Sequence, residues 1–393
     1  MTEARILTTH AGSLPRPAAL TGLFTRRAQG EVIDEEALVA AGREAVAAVL
    51  AKQRAIGIDV VSNGEQQRES FVLYLRRRLS GIGGHGDRAP FADIESYPKF
   101  KEERARFLAA RQAVSNVAQL PKCIGPITYL GKAELDAECA TFKAAYAANS
   151  VGAAAPFVTA ASPGILASIV KNEYYPSLEA YIDAIATALQ VEYETIVANG
   201  FNLQIDAPDL ALERHVAFAT QPIADFQQFV EVVIAALNRA LVNVPRAKVR
   251  LHVCWGNYEG PHDHDVPLVD ILPILQKAAV GGHYLPFANP RHAHEYKVLR
   301  RMPLAADQVL VAGVIDTVTN YIEHPEVVAD RLERIVEVVG DPARVMAGTD
   351  CGFDTSAGMG RVAEDVVWSK LGAMVEGARI ASRRLFGPQA SRA

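Results

Sequence analysis

Four cysteines (Cys123, Cys139, Cys254 and Cys351) are few for 393 residues, and they are widely spaced. That excludes a disulfide framework, so any cysteine with a special role is expected to be catalytic or metal-binding. The sequence has no run of about 18 apolar residues and thus no expected membrane-spanning helix. The opening MTEARILTTH lacks the apolar core of a secretory leader, and the expected location is cytoplasmic. Basic surplus is missing too: 40 Lys and Arg against 45 Asp and Glu give a formal net charge of −5. This argues against a nucleic-acid binder and for small-molecule or protein partners. Short repeats, low-complexity tracts and a clear linker are absent, so residues 1–393 read as one domain. Core material is plentiful: half of the residues are hydrophobic and 22% are charged, which is the balance of a globular chain.

Short β-branched or apolar runs recur along the chain, each followed by an amphipathic stretch of helical length. The expected strands are residues 6–13, 58–65, 122–128, 202–208, 249–255, 281–287, 309–316 and 345–352. Among the helices between them, EEALVAAGREAVAAVLAKQRAIG, SLEAYIDAIATALQVEYETIVANG and PEVVADRLERIVEVVG all run up to a glycine suited to a C-cap. Eight such units fit an α/β fold of the (β/α)₈ TIM-barrel type better than an open sheet. Residues 76–120 form a long, charged, glycine-punctuated insertion between the second and third strands, and APFVTAASPG (155–164) adds a short extra strand or loop. Both are placed to wall an active site.

Chemistry in such barrels sits at the C-terminal strand ends. Those ends carry Gly12-Ser13, Asn63-Gly64-Glu65, Gly125-Pro126-Ile127-Thr128, Asp206, His252 and Cys254, Asp316, and Asp350-Cys351. His252 and Cys254 are two apart, so on a strand they share a face. Cys351 closes the last run and can reach the same mouth in a closed barrel. Imidazole and thiolate are the ligands Zn²⁺ prefers, and three protein ligands with one open position make a catalytic site. The duller reading is a buried cysteine and a hydrogen-bonded histidine. Cys123 and Cys139 read as structural. The GPHDHD string (260–265) reads as a loop at the rim entering a helix, with Asp265 as its N-cap.

The strings TTHAGSLPRP (8–17), VVSNGEQQRESFVLYL (60–75), LQIDAPDLA (203–211), HVCWGNYEGPHDHDVPL (252–268), FANPRHAHE (287–295) and AGTDCGF (347–353) together resemble the cobalamin-independent methionine synthase family. The resemblance, nearly end to end, is to its catalytic C-terminal barrel and single-barrel relatives, including the epoxyalkane:coenzyme M transferases. It implies a Zn²⁺ held by His252, Cys254 and Cys351 that activates a small thiol acceptor for transfer from an alkyl donor. It also implies that Ser13, Glu65 and Asp206 hold the amino-acid end of homocysteine. Thr128, closing the third run, is a further substrate-binding candidate. A homo-oligomer is left open.

The chain departs from the family in four places. The expected glutamate ligand falls on Pro286, which leaves three ligands or brings in His292, His294 or Glu295. No tryptophan follows GPIT to stack on a folate. Val318 stands where the family has a proton donor, and Ala207 stands in DAP for the glutamate of DEP. His10, Tyr129, Tyr284 and His292 are the alternative proton donors, with loop packing the plainer reading of each. The first three losses weaken the folate half more than the thiol half, whereas Ala207 weakens the homocysteine assignment too. They admit epoxide opening by a zinc thiolate, or a thiol-binding relative with altered catalysis.

Overall fold

Strands too short to bury anything alone acquire a core here by curling around one another. A computed structural model describes residues 4–109, 120–149 and 154–387; the last part of the long insertion, residues 110–119, lies outside it. Its strands are β1 (Leu7–Thr8), β2 (Ile82–Gly86), β3 (Leu120–Cys123), β4 (Phe157–Ala161), β5 (Lys171–Asn172), β6 (Asn202–Asp206), β7 (Val249–His252), β8 (Gly282–Pro286), β9 (Val309–Ile315) and β10 (Val345–Thr349). Seven of them form a parallel sheet in the order β1-β10-β9-β8-β7-β6-β4. Residues 58–62 occupy the eighth place. Val60 N–H donates to the Thr8 carbonyl at 3.0 Å, Phe157 N–H donates to the Val61 carbonyl at 3.0 Å, and Ser62 bridges Phe157 in parallel. The ring therefore closes as a TIM barrel.

One expected strand is corrected. Residues 122–128 are not the third barrel strand; β4, within the segment taken as an extra strand or loop, holds that position. The proline and glycine content explains the exchange. Pro126 lacks a donor and Gly125 brings no side chain to pack within the run 122–128, whereas FVTAA is partly β-branched and buried throughout. β3 instead pairs antiparallel with β2 and parallel with β5 in a separate three-stranded sheet outside the ring.

Helices cover the barrel as their patterns predict. Glu35–Ile56 begins at Asp34, whose side chain accepts from Ala37 N–H, and ends at left-handed Gly57. Ile223–Ala240 buries Phe226, Phe229, Val230, Val233, Ile234 and Leu237 along one stripe. Each of these larger side chains contributes about 1.5–3 kcal/mol of transfer free energy. Where the insertion meets the barrel, Arg68 and Arg78 are buried against Glu138 at 2.9 and 2.7 Å, and both guanidinium groups lie over the Tyr74 ring. Asn63 also donates to Glu138, at 3.0 Å. This ion cluster fixes the loop that carries Glu65.

Candidate active site

β7 delivers His252, and the chain leaving it delivers Cys254. β10 ends one residue before Asp350, and Cys351 follows. Because the barrel is closed, these ends converge. One ligand atom from each of His252, Cys254 and Cys351 lies within 4.8 Å of the other two, and all three residues are buried. Asp206, at the end of β6, sits 3.0 Å from His252 Nδ1 and accepts from Gln204 at 2.7 Å. With Nδ1 committed, Nε2 is the nitrogen left for a cation; at present it faces the Asp350 carbonyl at 3.1 Å. Burial alone would lower the His252 imidazole, but the hydrogen bond to Asp206 and the Cys254 sulfur raise its pKa to about 9. A hydrogen bond from the Cys351 thiol lowers Cys254 to about 7, aided by His252 against burial, while Cys351 moves well above the usual thiol value. One thiol of the pair is thus already easy to ionise, as a soft-metal ligand must be. An imidazole backed by a carboxylate, beside two buried thiols, fits a zinc ion in both donor type and number.

A cavity of about 260 Å³ opens over this cluster. Ser13 and Glu65 line its floor. Ser13 Oγ and Glu65 Oε2 are buried without any hydrogen-bond partner, whereas Glu65 Oε1 accepts from Thr159 at 3.0 Å. Glu65 takes a left-handed backbone, φ 56°, which is rare for a residue with a side chain. Burial and the neighbouring Asp206 raise its carboxyl to about 7 against Arg16 and Arg68. Gly352 is required by close approach: a Cβ there would lie 2.0 Å from Ser13 Oγ. Asn257 donates to the Gly352 carbonyl at 2.8 Å and accepts from Thr317 at 3.1 Å, tying the loops of β7, β9 and β10 together.

Thr128 is not among the residues brought together. It is exposed and pairs with Ser80 at 2.7 Å, because its segment left the barrel. Pro286 ends β8 and shares a small cavity of about 30 Å³ with Cys254, Cys351, His262 and His292. Of the side chains considered in its place, His292 bonds to Glu295 at 2.9 Å and His294 is exposed. His10 is buried on Gln53, Tyr129 donates to Glu192 and Tyr284 donates to the Thr349 carbonyl, so none of these three lines the large cavity. Val318 does line it. Asp265 is not an N-cap either: the helix Leu268–Leu275 follows Pro267 without a side-chain cap, and Glu295 accepts its first N–H at 2.8 Å.

The insertion forms the outer wall, with Arg88, Phe91, Arg104, Phe107 and Leu108 all lining the cavity. Arg104 lies over the rings of Phe91 and Tyr258 at 5.8 and 5.3 Å, and Arg361 lies over Phe107 at 4.1 Å. Sequence reasoning missed Arg104, Arg361, Tyr258 and Thr159. Thr159 was hidden by the misplaced third strand, and Arg104 by a helix, Pro98–Ala109, that looks merely charged.

The ring and its mouth define a barrel enzyme with a buried imidazole–dithiol cluster. The family model described as "Cobalamin-independent synthase, Catalytic domain" matches residues 6–104. A methionine synthase of Sulfurisphaera tokodaii is 25% identical over 387 residues, covering 98% of this chain and 95% of that protein. One from Saccharolobus islandicus is 26% identical over 389 residues, covering 96% and 95%. A B12-independent methionine synthase from Shewanella sp. W3-18-1, solved with selenomethionine, superposes with a TM-score of 0.70 at 22% identity, covering 96% of this chain and 98% of that one. The chain is thus similar over nearly its whole length to methionine synthases, and an enzyme of the transferase class.

Proposed function

We propose that the chain is a zinc-dependent transferase that moves a methyl or other alkyl group to a zinc-activated thiol, with homocysteine the acceptor that its relatives' name implies. The reading rests on one observation: the buried convergence of His252, Cys254 and Cys351 beneath the cavity. Those three residues would hold the ion. When bound, zinc keeps an acceptor thiol deprotonated at neutral pH, where a free thiol with a pKa of about 8.5 is only a few per cent ionised.

The remaining work falls to the chain's own groups. Asp206 orients His252 through Nδ1. Ser13 Oγ and Glu65 Oε2, the unpartnered atoms of the floor, are offered to the carboxylate and ammonium of an amino-acid acceptor. The apolar wall of Phe71, Ile165, Ile169 and Leu212 limits water, and Arg104 and Arg361 face the outer part of the cavity where the donor enters. Absence of a proton donor at Val318 leaves the donor class to assay, small epoxides included. The expected setting is cytoplasmic, with small-molecule partners.

The test is a screen of homocysteine and other thiols against methylfolate, methylated sulfur compounds and small epoxides. Alkylated thiol is expected, with activity lost on chelation and regained with zinc. Turnover that survives complete removal of metal would overturn the reading.

The Asp206→Asn protein is expected to bind zinc about 10- to 100-fold more weakly, since a carboxylate on a ligating histidine fixes the ring and raises its basicity. Competition against a chromogenic chelator measures this. Unchanged affinity would confine Asp206 to the substrate side.

A further inference from the structure

The GPHDHD loop is not spent on the site above. Asp265 lies at the centre of three histidines from three successive βα loops: His215 after β6, His262 after β7 and His292 after β8. His262 Nδ1 and His292 Nε2 both lie 2.8 Å from Asp265 Oδ2, and His215 Nδ1 lies 3.1 Å from Asp265 Oδ1. The ligand atoms of His262, Asp265 and His292 are mutually within 4.8 Å.

Each ring has its other nitrogen anchored outward. His292 Nδ1 is on Glu295 at 2.9 Å, and His262 Nε2 is on the Tyr258 carbonyl at 3.1 Å. Tyr258 O–H donates to Asp93 at 2.6 Å, so its oxygen is the acceptor for His215 Nε2 at 3.2 Å. Imidazoles that ligate a metal are held in this way, one nitrogen on a carboxylate or carbonyl and the other turned inward.

The His215–Asp265 pair then poses a problem. With its proton on Nε2, His215 turns a lone pair toward Asp265. The two atoms are off line for a hydrogen bond, and both Nδ1 and Oδ1 are buried without a partner in side chains only 1% exposed. Two facing acceptors in a dry site call for a positive charge between them. His262, moreover, is held at φ 55°; it and Glu65 are the two described residues other than glycine with positive φ. Such strain persists only where the surroundings impose it.

We propose that His215, Asp265, His262 and His292 form a second divalent-cation site, for a borderline ion such as Zn²⁺ or Co²⁺, which ties three βα loops together beside the reaction chamber. Three imidazoles and one carboxylate suit such ions better than Mg²⁺ or Ca²⁺. The site's role is to hold Tyr258, a wall of the large cavity, in place. It stands independently of the thiol-activating function.

The full-length protein is stripped of metal and titrated with Co²⁺ alone, following bound metal and the visible spectrum. Wild type is expected to take up about two equivalents, only one of them with a sulfur-to-metal charge-transfer band. A Cys254→Ser/Cys351→Ser protein should keep about one equivalent without that band. His215→Ala/His292→Ala should keep about one equivalent with it. If the folded double-serine protein binds no Co²⁺, the cluster is a hydrogen-bonded loop clasp only and the second site is refuted, while the first site stands. The double-serine protein alone is decisive even should the histidine variants not fold.

Discussion

Replacing Cys254 by alanine is expected to leave the purified chain without zinc at the thiol-activating site and to lower the rate of thiol alkylation by about 10³-fold or more. The size follows from two losses. An acceptor thiol with a pKa of about 8.5 is ionised to only a few per cent at neutral pH, which costs about 30-fold without a cation. Loss of orientation costs about 10²-fold again. Cys254 is also the more acidic thiol of its pair, lowered to about 7 by the hydrogen bond from Cys351. Its removal also takes away the neighbour whose hydrogen bond and charge hold Cys351 well above the usual thiol value, leaving a lone thiol where the wild type has a pair. Metal analysis beside initial rates makes the measurement. Zinc content equal to wild type at this site would sink the ligand assignment, and equal rates would sink the chemistry built on it.

The Glu138→Gln protein is expected to lose about 3–5 kcal/mol of stability, the usual consequence of stripping one partner from a buried ion cluster. Arg68 and Arg78 would be left charged, buried and facing an amide. Burial alone would raise the Glu138 carboxyl, but the two guanidinium groups bring it down to about 2. Its contribution is therefore fully present above the unfolded pKa of about 4.5 and is lost as the pH falls through about 2. The gap between wild type and variant in denaturant midpoint should accordingly narrow as the pH is lowered from about 4.5. A gap that stays below 1 kcal/mol, or that ignores pH across that window, would contradict this account. Glu65 follows Asn63 in the same loop, so some loss of acceptor affinity should accompany the change.

Much of this was open to a reader of the sequence. The alternation of short apolar runs with glycine-capped helices suffices for a barrel, because the two periodicities differ and recur. His252 and Cys254 announced themselves by spacing on a strand; Cys351 did so by closing the final run. The third strand did not, since KCIGPIT and FVTAA are both short apolar runs, and only the pairing of the closed ring decides between them. Thr128 left the site with its segment for that reason. Nor was Asp206 legible as the partner of His252: the register that sets it beside β7 is a property of the closed sheet. The histidine cluster shows the same limit. His215 lies 47 residues before His262 in sequence, and nothing local links them.

The barrel's girth is uneven. Between β1 and β4 the ring is joined through residues 58–62 by a few backbone bonds and one bridge, whereas β9 and β10 share a full ladder. The thin staves run straight into the turn bearing Glu65. Breathing at this weakest circumference is thus felt first at Glu65 in the floor of the cavity, and the buried arginine–glutamate knot beside it acts as the hoop that keeps the seam from parting.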